Sequence, residues 1–141
     1  MTLSFMDAGV LIQVVRGNEA ISETTLDVIY AADRKLASSF YLLLEVLPKA
    51  QYNQRNKESQ FYQFFSELVT VWATDWEVIH KEAERQSRLY GLGAMDALHI
   101  AAALSVRADE FVTAERADRS IFRTPDIRVV SSRPKPVPIL P

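Results

Sequence analysis

Apolar and polar positions along this chain alternate between two periods. Short, dense apolar runs stand at Leu3–Asp7, 36–38, 69–73, 110–113 and 127–130, the length and composition of buried strands. Between them the apolar positions recur every three to four residues, as on one face of a helix. A short helix follows the first strand and closes at Gly17. Asn18 is a good N-cap for the next helix, whose face is Ile21, Val28, Ile29 and Ala32 through about residue 33. Ser39 is placed to cap a helix carrying Glu45, with a kink or an end near Glu45 because Pro48 removes a hydrogen bond to the Leu44 carbonyl. Helices follow over 54–68, with the stripe Phe61, Phe64, Phe65 and Leu68, and over 75–90, ending at Gly91. Ala94 to Val106 is apolar nearly all round and reads as a buried helix. A short helix is expected over 115–122. Four of the six prolines crowd residues 134–141, an extended tail beyond a single domain at 1–133. Strands alternating with helices predict an α/β sandwich of three layers with a mainly parallel sheet.

Three acids interrupt this pattern. Asp7, Glu45 and Asp96 are each the only charge in an apolar run: Phe5-Met6-Asp7-Ala8-Gly9-Val10-Leu11-Ile12, Phe40-Tyr41-Leu42-Leu43-Leu44-Glu45-Val46-Leu47 and Leu92-Gly93-Ala94-Met95-Asp96-Ala97-Leu98. A buried carboxylate without a partner is costly or takes up a proton. Three of them suggest one shared cation with a taste for oxygen ligands. Asp7 ends the first strand, and Glu115 follows the fourth by two residues. In parallel α/β sheets ligands bind outside the carboxyl ends of the strands. All four acids are therefore expected at one edge.

Composition narrows the chemistry. The 141 residues suit one domain, and 48% hydrophobic with 24% charged residues is ordinary globular usage. No stretch approaches 18 uncharged apolar residues, so no membrane span is expected. The N-terminus lacks a basic segment followed by a long apolar one and reads as the start of the fold. With no cysteine, disulfides, zinc-thiolate sites and thiol nucleophiles are excluded, and a cytoplasmic location fits. The net charge of −2 looks wrong for a nucleic-acid binder. With four acids set aside as ligands, however, 16 basic residues face 14 acidic ones. Net charge bears on solubility and steering, and does not decide what a small site does.

The order Asp7, Glu45, Asp96, Thr113-Ala114-Glu115 resembles the PIN domain family over residues 3 to about 130. The carrying motifs are Phe-Met-Asp-Ala-Gly-Val-Leu-Ile, Leu-Leu-Leu-Glu-Val-Leu, Met-Asp-Ala-Leu-His-Ile-Ala-Ala-Ala and Phe-Val-Thr-Ala-Glu. The resemblance implies a Mg²⁺- or Mn²⁺-dependent nuclease that hydrolyses phosphodiester bonds, usually in RNA. It makes Asp7, Glu45 and Asp96 catalytic metal ligands. The fourth family position is usually Asp in Thr-x-Asp. Here it is Glu115, one methylene longer, and Asp118 could serve beside it or instead. Thr or Ser and then Asn or Ser often follow the first acid in the family, and this chain has Ala8-Gly9. Thr113 keeps a hydroxyl that can orient an acid or a water. A lone PIN-like domain of this length is similar to the toxin half of VapBC-type toxin–antitoxin pairs, which implies a small antitoxin partner and, as is common in the family, a homodimer.

Blander readings stand beside these. Asp7 could cap the following turn, Asp96 could answer the helix dipole, and Glu45 and Glu115 could face solvent. Arg116, Arg119 and Arg123 could bind phosphate or line a solvated helix face. His99 reads as a satisfied core histidine, His80 as a surface residue, and Trp72 and Trp76 as core. A module that has lost catalysis but still binds RNA or protein is a competing reading. A phosphate-accepting receiver domain fails for want of an acidic pair near residue 7, and Asp7-Ala8-Gly9-Val10-Leu11 does not fit an Asp-x-Asp-x-Thr phosphatase.

Overall fold

A computed structural model describes residues 1–17 and 25–133. Its centre is a five-stranded sheet: β1 (Thr2–Met6), β2 (Arg34–Ser39), β3 (Val71–Ala73), β4 (Glu110–Thr113) and β5 (Arg128–Ser131). The order is β3-β2-β1-β4-β5 and every pairing is parallel. The helices are α1 (Ala8–Arg16), α2 (Phe40–Tyr52), α3 (Asn56–Leu68), α4 (Trp76–Tyr90) and α5 (Ala94–Ser105), with a helical stretch at 25–29 and a 3₁₀ turn at Ser120–Arg123. From β1 the chain steps outward to β2 and β3, then returns across the sheet to β4 and β5. Parallel crossovers are right-handed. The outward steps therefore put α1, α2 and α3 on one face, and the return puts α4 and α5 on the other. This is the three-layer α/β/α sandwich that the alternation of periods predicts.

Inner strands are buried on both faces, which is why they read as continuous apolar runs. Phe5, Met6, Phe111 and Val112 are fully buried, and Phe5 stacks on Phe111 with ring centroids 5.7 Å apart. The apolar helix α5 buries His99 through Ala103 against the sheet. Burying a side chain the size of Phe or Leu contributes about 1.5–3 kcal/mol.

Several local expectations are corrected. Pro48 lies inside α2, which continues to Tyr52 and does not end near Glu45. Ser39 occupies the N-cap of α2, but its side chain makes no capping hydrogen bond. The helical stretch at 25–29 stops before residue 33, because Arg34 already pairs with Thr2. Asn18 and Ile21, like the proline-rich tail at 134–141, lie outside the described residues. Residues 115–119 are turn and loop, and only Ser120–Arg123 winds into a 3₁₀ turn. Phe64 faces solvent; Tyr62 and Phe65 form the buried stripe of α3. Trp72 and Trp76 are partly exposed rather than core, because β3 is an edge strand and Trp76 opens α4. Gly91 closes α4 as read from the sequence: its φ of +70° is left-handed, where a side chain is strained.

Candidate active site

The chain changes direction between β1 and β4, and the crevice beyond their carboxyl ends is the usual ligand position in such sheets. Met6 pairs with Val112, so the next residue on each strand, Asp7 and Thr113, meet at the edge. The Thr113 hydroxyl donates to Asp7 Oδ2 at 3.0 Å and accepts the Glu115 amide at 3.2 Å. Asp7 also caps α1: its Oδ1 accepts the Ala8 amide at 2.8 Å. The capping reading of Asp7 is therefore correct as geometry, and it leaves the carboxylate pointing at the crevice.

A pocket of about 380 Å³ opens there, lined by Asp7, Ala8, Gly9, Ile12, Gln13, Glu45, Asp96, Ala114, Glu115 and Arg133. The four acids read from the sequence thus face one space. Their surroundings differ. Asp7 is 7% exposed, Asp96 is half-buried in the first turn of α5, and Glu45 and Glu115 stand exposed at the rim. The isolation of Glu45 in an apolar run does not mean burial, since Phe40 and Leu44 beside it on α2 are exposed as well. Asp118 does not line the pocket. It is exposed in the turn after Glu115, 3.6 Å from Arg116. Arg119 lies 3.7 Å from Glu115, and both Arg116 and Arg119 are solvated. Arg123 reaches the Tyr90 carbonyl, away from the acids.

The electrostatics follow from burial and like charge. Burial pushes the Asp7 carboxyl up to about 6, and the charge of Asp96 adds to it. Positive charge on His99, the Thr113 hydroxyl and the Ala8 amide pull the other way. Asp96 is also raised, first by burial, then by Glu115 and Glu45, against the opposing pull of His99. A hard cation would relieve this strain, and a purely carboxylate donor set is the kind Mg²⁺ and Mn²⁺ prefer. As the side chains stand, they are spread around the pocket: among the described residues no three Asp, Glu or His groups are gathered to hold one ion. The donor chemistry fits a divalent ion, with Glu45 engaged by His99 and Glu115 lying 3.7 Å from Arg119 at the rim.

His99 is where the sequence reading falls short. It is buried as expected, but it is not a self-contained core histidine. Its Nε2 lies 2.6 Å from Glu45 Oε2, and its buried Nδ1 has no hydrogen-bond partner among the described residues. With Glu45 ionised, Nε2 must carry the hydrogen and donate. Asp96 and His99 are three residues apart on α5, hence on one face; that spacing was the available signal. Arg133, whose Nε donates to the Ala114 carbonyl, and Gln13 also reach the pocket without any periodicity to announce them. His80 is on the surface, bonded to the Tyr41 hydroxyl.

The comparisons with known proteins now decide the family. The profile described as "PIN domain" matches residues 4–124. The chain belongs to the PIN domain family. No curated protein matches significantly. Among solved structures, VapBC2 from Rickettsia felis bound to a promoter DNA fragment is similar at 14% identity, with 92% of this chain and 98% of that chain covered and a TM-score of 0.71. A toxin–antitoxin complex from Klebsiella pneumoniae gives 19% identity, coverage of 92% and 98%, and a TM-score of 0.70. DNA-bound VapBC from Salmonella typhimurium gives 20%, 94% and 100%, and 0.66. At such identities these likenesses establish a shared PIN fold. Among the described residues no helix is long and apolar enough to cross a membrane.

Proposed function

We propose that this PIN domain is a Mg²⁺- or Mn²⁺-dependent endoribonuclease and the toxin of a toxin–antitoxin pair. The observation that carries the nuclease reading is Asp7: a buried carboxylate at the switch point of the sheet, held by Thr113 and faced by Asp96, with His99 nearby but hydrogen-bonded to Glu45. PIN domains are generally nucleases, and the chain's fold neighbours include VapBC and another toxin–antitoxin complex, which supports the toxin role. Residues 1–133 work as one domain in this reading, in the cytoplasm, as a homodimer restrained by a small antitoxin.

Asp7, Glu45, Asp96 and Glu115 would hold the ion, with Asp118 in reserve. Bound metal lowers the pKa of a water and offsets charge on the attacked phosphate. The chain's own residues do the positioning. Thr113 fixes the Asp7 carboxylate, and His99 tethers Glu45. Arg116 and Arg119, solvated beside Glu115, offer charge to the substrate backbone. The acids repel RNA as well as one another, so the pocket accepts phosphate only with metal present.

The test is cleavage of a labelled single-stranded RNA by the purified chain in Mn²⁺, in EDTA, and with Asp7→Asn in Mn²⁺. Cleavage in the first condition alone supports the proposal. If Asp7→Asn cleaves as well as the unaltered chain, the catalytic reading is wrong. The spread of the acids around the pocket favours a second reading, a PIN-like module that binds RNA or protein without cutting it. RNA binding without cleavage in any metal would select it.

A further inference from the structure

We infer that a second, basic pocket beside the acids is a phosphate subsite for the RNA strand, one to two nucleotides from the bond that is cut; this rests on the nuclease reading. The pocket, about 350 Å³, lies among α1, α2 and α3, and Ile12 and Glu45 line both it and the acidic pocket. A strand leaving the acids past Glu45 therefore enters it directly. Its polar lining is Arg16, Lys49, Asn53, Arg55 and Tyr62.

The charge in this pocket is only partly answered. Glu58 binds Arg16 at 2.6 and 2.9 Å and lies 3.9 Å from Arg55. Glu45, at the shared wall, is held by His99. Lys49 is exposed and forms no ion pair among the described residues. Three cations thus face two acids, one of them engaged elsewhere. A net positive pocket opening beside a net negative one matches a phosphodiester chain whose reacting phosphate is neutralised by metal and whose next phosphates need protein cations. Spacing agrees. Glu45 and Lys49 share a face of α2 four residues apart, roughly 6 Å of axial rise, the scale of one to two nucleotides at about 3.4 Å of axial rise per nucleotide of a duplex strand. The Arg16 fork is taken up by Glu58, so the charge left for a phosphate comes chiefly from Lys49, a mobile point charge, and from Arg55.

The experiment uses Asp7→Asn protein, so that no RNA is consumed, and titrates a labelled single-stranded RNA in Mn²⁺ by fluorescence anisotropy across a salt series. The comparison adds Lys49→Ala/Arg55→Ala, which leaves the Arg16–Glu58 pair in place. The expected result is about tenfold weaker binding at low salt and a log–log salt slope shallower by roughly 1, as for the loss of one to two phosphate contacts. In the cleaving protein the same double substitution raises KM. Lys35→Ala, near the opposite end of the sheet, is the control and leaves binding as it was. Unchanged affinity and slope in the double variant, while the parent binds and the unaltered chain cleaves, overturn the subsite and leave the nuclease reading standing. Loss of a protein partner with unchanged RNA binding would assign the pocket to that partner and likewise overturn it. If no form binds RNA, both the nuclease reading and the subsite fall.

Discussion

Glu110 and Asp7 are buried to almost the same degree, 6% and 7% exposed, on neighbouring strands at opposite ends of the sheet. Their partners differ. Glu110 Oε1 accepts from Arg34 Nη2 at 2.9 Å and from the Ser4 hydroxyl at 2.7 Å, and Arg34 Nε reaches Ser4 at 2.9 Å. A further Arg34 bond goes to the Val28 carbonyl. This carboxylate is closed off with its own cation, and it ties β1, β2 and β4 together. Asp7 has an amide, a hydroxyl and another acid; His99 acts on it through space but hydrogen-bonds Glu45, and Asp7 forms no ion pair among the described residues. A buried acid with its charge answered inside the chain is structural. One without an ion pair, at the ligand edge of a parallel sheet, is a candidate for holding a ligand.

The largest effect that would test this contrast is on catalysis. Asp7→Asn keeps the size and can keep the cap on Ala8 through its one oxygen, while its amide must donate to Thr113 where the carboxylate accepted, and it removes the charge. Loss of metal-borne charge stabilisation, worth several kcal/mol, should lower cleavage in Mn²⁺ by about 10³-fold. A smaller loss in single-turnover assays would mean that the two acids differ less than their surroundings suggest.

Stability should move in opposite directions at the two ends. Arg34→Ala strands Glu110, and breaking a buried pair costs about 3–5 kcal/mol. Asp7→Asn should instead stabilise the metal-free chain at pH 7 by about 1–3 kcal/mol, at roughly 1.4 kcal/mol per unit of raised pKa. Urea unfolding in EDTA reads both, and destabilisation by Asp7→Asn would refute the claim of an unanswered charge.

The pH dependence has a definite sign. Asp7 is raised from 3.8 to about 6 in the folded chain. Between those values the folded state holds more protons than the unfolded one, so this group makes metal-free stability fall as pH rises from 4 to 6. The same proton competes with metal, so Mn²⁺ affinity should fall as pH drops through about 6. Unfolding at a series of pH values, repeated on Asp7→Asn, should show the slope flattened by the substitution.

Smaller effects concern the rim. His99→Phe removes the Nε2 donor to Glu45 at similar volume and, by analogy with residues that orient metal ligands, should lower Mn²⁺ affinity by about 10–100-fold. Calorimetry with the free ion reads this apart from activity. Asp118, exposed and outside the pocket, should tolerate Asn within about 0.5 kcal/mol of stability. A loss of Mn²⁺ affinity in Asp118→Asn, with Glu115→Gln unaffected, would move the fourth ligand to the turn.

Much of the fold was legible because its layers have different periods. Continuous apolar runs marked the inner strands, and three-to-four spacing marked the helices. Where one face of an element is open, the pattern misled. Trp72 and Trp76 look like core by composition, but edge strand β3 and the start of α4 leave them partly solvated. Pro48 predicts a kink or a helix end near Glu45, and of these the early end is excluded, since α2 runs on to Tyr52. The segment after Glu115 has helical spacing of its arginines but forms a turn before the 3₁₀ stretch. In the site, isolation within an apolar run found Asp7, Glu45 and Asp96, but it overstated the burial of Glu45.

By itself, then, the sequence determined the alternation of strand and helix, the parallel sheet it implies, and the four carboxylates in their order. These are local properties, set by side-chain periodicity and by the cost of charge in an apolar run. Only the tertiary structure decided which acids are answered and which are not. Glu110 and Arg34 are 76 residues apart, Glu45 and His99 are 54, and Asp7 and Thr113 are 106. Partners at such separations are chosen by strand order and crossover, which no local pattern encodes. The same crossover that brings Arg34 to Glu110 leaves Asp7 at the opposite end facing Asp96, so one carboxylate is a fastening and the other lines the candidate site.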